Sequence, residues 1–179
     1  MESLDMLKQH MNCVVIVFSY HHHNTEKIAH TIAEEIDAQV FSPLEFNPED
    51  LTKYELVGFG SGIYSESFHK AILDFVEKSP LVESKKAFLF STDGAPRGLI
   101  KDDHPMAKEQ LRKNHRTINE RLEAKGYEII GEFNCAGWNS NSFLKLFGGI
   151  NKSRPNEQDL SNAREFAQGI SGKITSDSL

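Results

Sequence analysis

Residues 13–36, CVVIVFSYHHHNTEKIAHTIAEEI, change character at their middle. The first six form an unbroken apolar, β-branched run, the pattern of a strand covered on both faces. From Asn24 the spacing turns helical: Ile28, Ile32 and Ile36 fall four apart, with Ala29 and Ala33 beside them. A strand buried on both faces that feeds directly into a helix is the first half of a βαβ unit. The polar stretch SYHHHNT (19–25) lies where the strand's carboxyl end meets the helix start.

The same alternation continues outward. QVFS (39–42), ELVGFGS (55–61), KAFLFS (86–91) and YEIIGEFNC (127–135) read as four further strands. Between them, Phe68, Ile72, Phe75 and Val76 make one helical stripe. Pro105 opens a longer helix that carries Leu111, His115, Ile118 and Leu122 on one face, and Gly126 sits where it should stop. A last helix buries Leu160, Ala163, Phe166, Ala167 and Ile170, with Asn156 and Asp159 as its N-terminal cap. Only 43–54 lacks a clear helix, beyond a short turn at PEDLTKY. Strands alternating with helices imply a parallel sheet with helices on both faces, and right-handed crossovers leave few topologies. The expectation is an α/β fold: a single doubly wound domain with a five-stranded parallel sheet in the order 2-1-3-4-5. Its expected bounds are 12–172, after an extension at 1–11 and before a tail at 173–179; Met11 is an alternative start.

Composition narrows the function classes. A chain of 179 residues fits one domain, and its net charge of −6 argues against a general nucleic-acid binder. No apolar run approaches the ~18 residues of a membrane span, and MESLDMLKQH lacks a signal-peptide core. The two cysteines, Cys13 and Cys135, form no CxxC pair, which removes an in-chain iron–sulfur cluster or zinc ribbon and suits a reducing, cytoplasmic compartment.

In a sheet of this order the ligand sits at the carboxyl ends of the strands, at the switch point between the first and third. The segments to inspect are SYHHHNT, SGIYSESF, STDGAPRG and CAGWNSN. Ser19, Tyr20, Asn24 and Thr25 bring hydroxyl and amide groups to a helix start, where free backbone N–H groups and the helix dipole favour an anion such as a phosphate monoester. The plainer role for Asn24 or Thr25 is an N-cap. A metal at His21, His22 and His23 would need converging imidazoles and a carboxylate, whereas consecutive loop residues point apart. The backbone of 21–23 is expected to turn around the anion, with one imidazole nearby. His69, His104 and His115 read as ordinary surface or helix residues. No GxGxxG follows the first strand, no GK[ST] is present, and GFGSG does not fit a GxSxG nucleophile elbow. A phospho-accepting receiver would need acids where Ser19, Tyr20 and Ser61 stand.

VFSYHHHNTEKIA resembles the phosphate-binding loop of flavodoxins: Asn24-Thr25 match its end and Lys27-Ile28-Ala29 the helix continuation. GFGSGIY and FSTDG resemble the family's two flavin-ring loops, and the likeness runs from about Cys13 to Ile170. By implication the cofactor is FMN. Its phosphate would lie against Ser19, Tyr20, His21, His22, His23, Asn24 and Thr25, and its ring against Ser61, Gly62, Ile63, Tyr64, Ser91, Thr92, Asp93 and Gly94. The implied activity is electron transfer to a redox partner protein or a small-molecule acceptor. Two alternatives stand beside it: an FMN-dependent NAD(P)H or quinone reductase, and a flavodoxin-like binding module that has lost the flavin. A homodimer is compatible with all three, and neither nucleic acid nor membrane is expected as a partner. Tyr64 and Trp138 are the aromatics to place near the ring, with plain packing as the competing role. The sequence departs from the family pattern twice. His23 stands where the loop usually has glycine, so its backbone must take a negative φ or a tolerated left-handed turn. Gly62 precedes the aromatic Tyr64 rather than following it.

Overall fold

A computed structural model describes residues 11–20, 22–94, 104–140 and 148–177. Strands β1 (Cys13–Phe18), β2 (Gln39–Phe41), β3 (Leu56–Tyr64), β4 (Ser67–Phe68), β5 (Lys85–Asp93) and β6 (Tyr127–Ala136) alternate with helices α1 (Asn24–Ile36), α2 (Lys70–Lys78), α3 (Pro105–Ala124) and α4 (Glu157–Asp177). A 3-10 turn fills Pro48–Lys53, capped by Asn47.

The main sheet runs β2-β1-β3-β5-β6, all parallel, which is the expected order of the five long strands. The sheet has a sixth strand that the sequence did not announce. β4 pairs antiparallel with β3 through Ile63↔Phe68 and Tyr64↔Ser67, so Phe68 belongs to a strand rather than to the helical stripe. The turn between them, Ser65 and Glu66, is left-handed at both positions (φ 49° and 60°), the geometry of a two-residue hairpin usually written with Asn or Gly. The last helix runs to Asp177, past the domain boundary expected at 172.

Side-chain alternation divides the interior into two layers. Val15, Val17, Phe88 and Phe90 face α1 and α4, meeting Ile28, Ile32, Ala163 and Ile170. Val14, Ile16, Phe59 and Leu89 face α2 and α3, meeting Ile72, Val76, Ile118 and Leu122. Within GFGSG, Gly58 and Gly60 make room for neighbours. A Cβ on Gly58 would lie 2.3 Å from Phe88 Cζ, and one on Gly60 2.1 Å from Phe90 Cζ. The two phenyl rings therefore lie across the backbone of β3.

Helix ends follow their sequence signals. Pro105 stands in the first turn of α3, and His104 Nδ1 accepts from the Met106 N–H. His69 Nδ1 likewise caps α2 by accepting from the Ala71 N–H at 3.1 Å. Asn156 and Asp159 exchange reciprocal bonds at the start of α4, Asn156 N–H to Asp159 Oδ2 (2.7 Å) and Asp159 N–H to Asn156 Oδ1 (3.1 Å). After α3, Gly126 takes φ +92°, and a Cβ there would sit 1.8 Å from the Val82 carbonyl oxygen, so the stop admits only glycine. On β6, the register slips between Ala87 and Phe88, leaving Ile130 as the extra residue of a bulge. Lys173 Nζ donates to the Ile130 carbonyl at 2.6 Å.

Candidate functional site

A cleft opens at the carboxyl ends of β1, β3, β5 and β6. It is lined by Ser19, Asn24 and Thr25 from the first loop, Gly62, Ile63 and Tyr64 from β3, Thr92, Asp93 and Gly94 after β5, and Gly137, Trp138, Asn139 and Ser140 after β6. The empty space, counted out to open solvent, is about 480 Å³.

The first loop is built around left-handed backbone. His22 and His23 have φ 55° and 52°, so the residue in the glycine position of the loop adopts the glycine conformation. His23 is the N-cap of α1 and its side chain makes no capping bond; it pairs instead with Glu26. The starts of α2, α3 and α4 are each closed by a side-chain acceptor, whereas among the described residues α1 is not. Asn24 and Thr25, in its first turn, line the cleft, so the positive end of the helix dipole lies beside it. Thr25 Oγ1 meets Thr92 Oγ1 at 2.8 Å, joining the first loop to β5, and both residues are buried. Asn24 donates from Nδ2 to the Trp138 carbonyl at 2.9 Å.

The histidine side chains have other partners. His22 stacks on Trp138 with ring centroids 3.8 Å apart at 20°, and its Nε2 lies 2.7 Å from Ser140 Oγ. His69 stacks on Phe18 (4.2 Å) and meets Tyr64 edge-on (5.2 Å). Burial holds its imidazole below the usual histidine range, so it stays neutral, and because Nδ1 accepts a backbone bond its proton sits on Nε2. Burial, with Tyr20 nearby, raises the Tyr64 hydroxyl. The thiol of Cys13 is pushed up to about 12, chiefly by burial, which removes it as a nucleophile at neutral pH.

Several candidate residues stand elsewhere. His21 lies outside the described residues. Tyr20 points to solvent at 68 % exposure. Ser61 and Ser91 do not line the cleft. They are paired across the sheet and, one residue out of phase with Gly62 and Thr92, turn to the α2–α3 side. Ser61 donates to the Gly62 carbonyl and accepts from the His69 N–H, fixing the β3–β4 hairpin to the start of α2. Ser91 Oγ accepts from Asn134 Nδ2 (2.8 Å) and lies 2.7 Å from His115 Nε2.

His115 is a helix residue, in α3, but not a surface one: it is 0 % exposed. The Asn134 amide donates to Ser91, whose hydroxyl meets Nε2 on one side of the ring; on the other side stands Nδ1. That atom is 3.4 Å from Glu132 Oε2, and Asn119 donates to Glu132 Oε1 at 2.5 Å. Burial alone would raise the Glu132 carboxyl; the His115 ring and Asn119 amide outweigh it and hold the group below its usual value. Serine, histidine and glutamate thus stand side by side, yet among the described residues His115 Nδ1 makes no hydrogen bond and Ser91 is fully buried, so the cluster is part of the packing and not a hydrolytic centre.

Gly137, Asn139 and Ser140 are the cleft residues that sequence inspection left uncommitted, although CAGWNSN marked their segment. They belong to the connection between β6 and α4. Gly94 and Gly137 let it approach: a Cβ on Gly94 would lie 2.5 Å from Asn139, and one on Gly137 2.8 Å from Asn24.

The fold and cleft together define a doubly wound α/β protein with a polar cleft beside a helix start at its switch point. The family model for a flavodoxin domain matches residues 15–128, and the chain belongs to the flavodoxin family. An uncharacterized protein of Methanocaldococcus jannaschii is 42 % identical over 160 residues, covering 89 % of this chain and 98 % of that protein. Two solved structures share the fold. An archaeal flavodoxin superposes with TM-score 0.62 at 16 % identity, over 92 % of this chain and 99 % of that one. Oxidised flavodoxin 2 of Bacillus cereus gives TM-score 0.64 at 18 % identity, over 90 % and 99 %. Family membership implies a flavin cofactor. Among the described residues no helix is long and apolar enough to cross a membrane.

Proposed function

We propose that the chain binds FMN in this cleft and carries electrons to a redox partner in the cytoplasm. The observation that carries the proposal is the start of α1, which lies at the cleft and among the described residues has no side-chain acceptor, while the starts of α2, α3 and α4 are closed by side chains. The residues present suit the cofactor. Ser19, Asn24, Thr25 and the first N–H groups of α1 supply neutral donors for a phosphate, and Ile63, Tyr64, Asp93 and Gly94 supply a flat, partly apolar wall for the ring. Bound there, the flavin would supply reversible electron acceptance; the protein supplies position and exclusion of water.

Titration with FMN should quench flavin fluorescence at about one equivalent per chain, and riboflavin, which lacks the phosphate, should bind more weakly. Equal affinity for the two would overturn the proposal. Thr25→Val keeps the shape of the loop and removes the hydroxyl beside Thr92. Losing a hydrogen bond to a charged group costs roughly 1.5–3 kcal/mol, about ten- to a hundredfold in FMN affinity, with riboflavin unaffected. A folded variant that binds FMN as before would reduce Thr25 to a packing residue.

A second reading, a flavin-dependent reductase of small molecules, is favoured by the extra wall that Gly137–Ser140 add to the cleft. Turnover of NAD(P)H with a quinone by the purified protein, without a partner protein, would select it.

A further inference from the structure

We infer that Trp138 is a positioning residue: the connection between β6 and α4 clamps the first loop in its left-handed form, and the imidazole of His22 is the handle it grips. The inference rests on the phosphate reading of that loop. Two consecutive side-chain-bearing residues, His22 and His23, hold a backbone conformation that glycine adopts freely and other L-residues resist. Such conformations persist where the surroundings over-determine them.

The surroundings here are explicit. Trp138 stacks on the His22 ring at 3.8 Å, Ser140 Oγ lies 2.7 Å from His22 Nε2, and the Trp138 carbonyl takes an amide proton of Asn24 at 2.9 Å. Trp138 is itself anchored. Its N–H donates to the Arg154 carbonyl (3.1 Å), and the Arg154 guanidinium is paired with Asp159, which is 1 % exposed in the first turn of α4. A continuous set of contacts therefore runs from α4 through Arg154 and Trp138 to the loop that opens α1. It also gives the His22 side chain a role at this position. With glycine at residue 22 the backbone would need no clamp; with histidine it carries a side chain that the clamp can hold. A loop already in its binding shape loses less freedom when an anion arrives, so the clamp raises affinity for the phosphate without touching it.

The test is a double-mutant cycle read on two ligands and on the ligand-free protein. Trp138→Ala should weaken FMN about tenfold more than it weakens riboflavin, since the indole also lines the cleft. In a His22→Gly background, whatever that change itself costs, Trp138→Ala should weaken FMN less than threefold more than riboflavin, because the glycine needs no clamp. Additive losses in the double variant, or equal weakening of riboflavin, would overturn the inference. Backbone chemical shifts of the ligand-free protein decide it independently of any flavin. Left-handed shifts at His22 and His23 should be present in the parent and lost in Trp138→Ala, and weakened in the milder Ser140→Ala. Retention of those shifts in Trp138→Ala would refute the clamp even if FMN binds, whereas their loss in a protein indifferent to FMN would uphold the clamp and refute the cofactor.

Discussion

Gly60→Ala is expected to lower stability by about 2–3 kcal/mol, the upper range for an overpacked core. The added methyl would lie 2.1 Å from Cζ, 2.3 Å from Cε2 and 2.8 Å from Cε1 of Phe90. The ring cannot easily yield, because Phe90 is fully buried and stacked on Phe88, which in turn meets Phe166 edge-on. Gly58→Ala should behave alike, with Phe88 Cζ at 2.3 Å. Urea denaturation should show a lower midpoint with an unchanged slope. Phe90→Leu, which costs stability alone, should cost less in the Gly60→Ala background, since the clash is then relieved. A midpoint within error of the parent would show that the sheet absorbs the methyl by sliding β5.

His115→Ala is expected to cost about 3 kcal/mol. It removes a fully buried side chain and leaves two polar groups, Ser91 Oγ and Glu132, without the ring between them. The same network carries a pH signature. Glu132 has a depressed carboxyl in the folded protein, so its contribution is present above the unfolded carboxylate value of about 4.3 and is lost as pH falls through the folded value. Glu132→Gln should therefore be less stable than the parent at neutral pH, with the gap closing in acid. If both proteins lose stability in parallel between about pH 5 and 3, the carboxylate is not an acid-sensitive element.

What the sequence made legible follows from which interactions are local. The run at 13–18, the Ile28–Ile32–Ile36 stripe and the stops at Pro105 and Gly126 are set by neighbours within a few residues, and strand order followed from their alternation. Cleft residues at the first loop could be found because the switch point is a topological fact. Ser61 and Ser91 look like site residues in sequence because they end polar strand tips; only the phase of each strand, set by its partners, turns them inward. The β3–β4 hairpin was hidden because Ser65 and Glu66 take left-handed turns without Asn or Gly. The spacing puts His115 on the same helix face as Ile118 and Leu122, but its partners come from β5 and β6 and no local pattern names them. Trp138 owes its place to Arg154 and Asp159, which no local pattern links to it.

The bulge at Ile130 bears on how copies of this chain can meet. β6 is the outermost strand of the sheet, and such a margin invites a second chain to continue the ladder. Here the extra residue breaks the repeat, and Lys173 reaches from α4 to occupy the Ile130 carbonyl. An incoming strand would have to displace an ammonium group and accept a broken register midway along a ten-residue strand. That margin is thereby guarded against indiscriminate self-association, which leaves the short β2 at the opposite edge, the helical faces and the rim of the cleft as the surfaces on which subunits could pair.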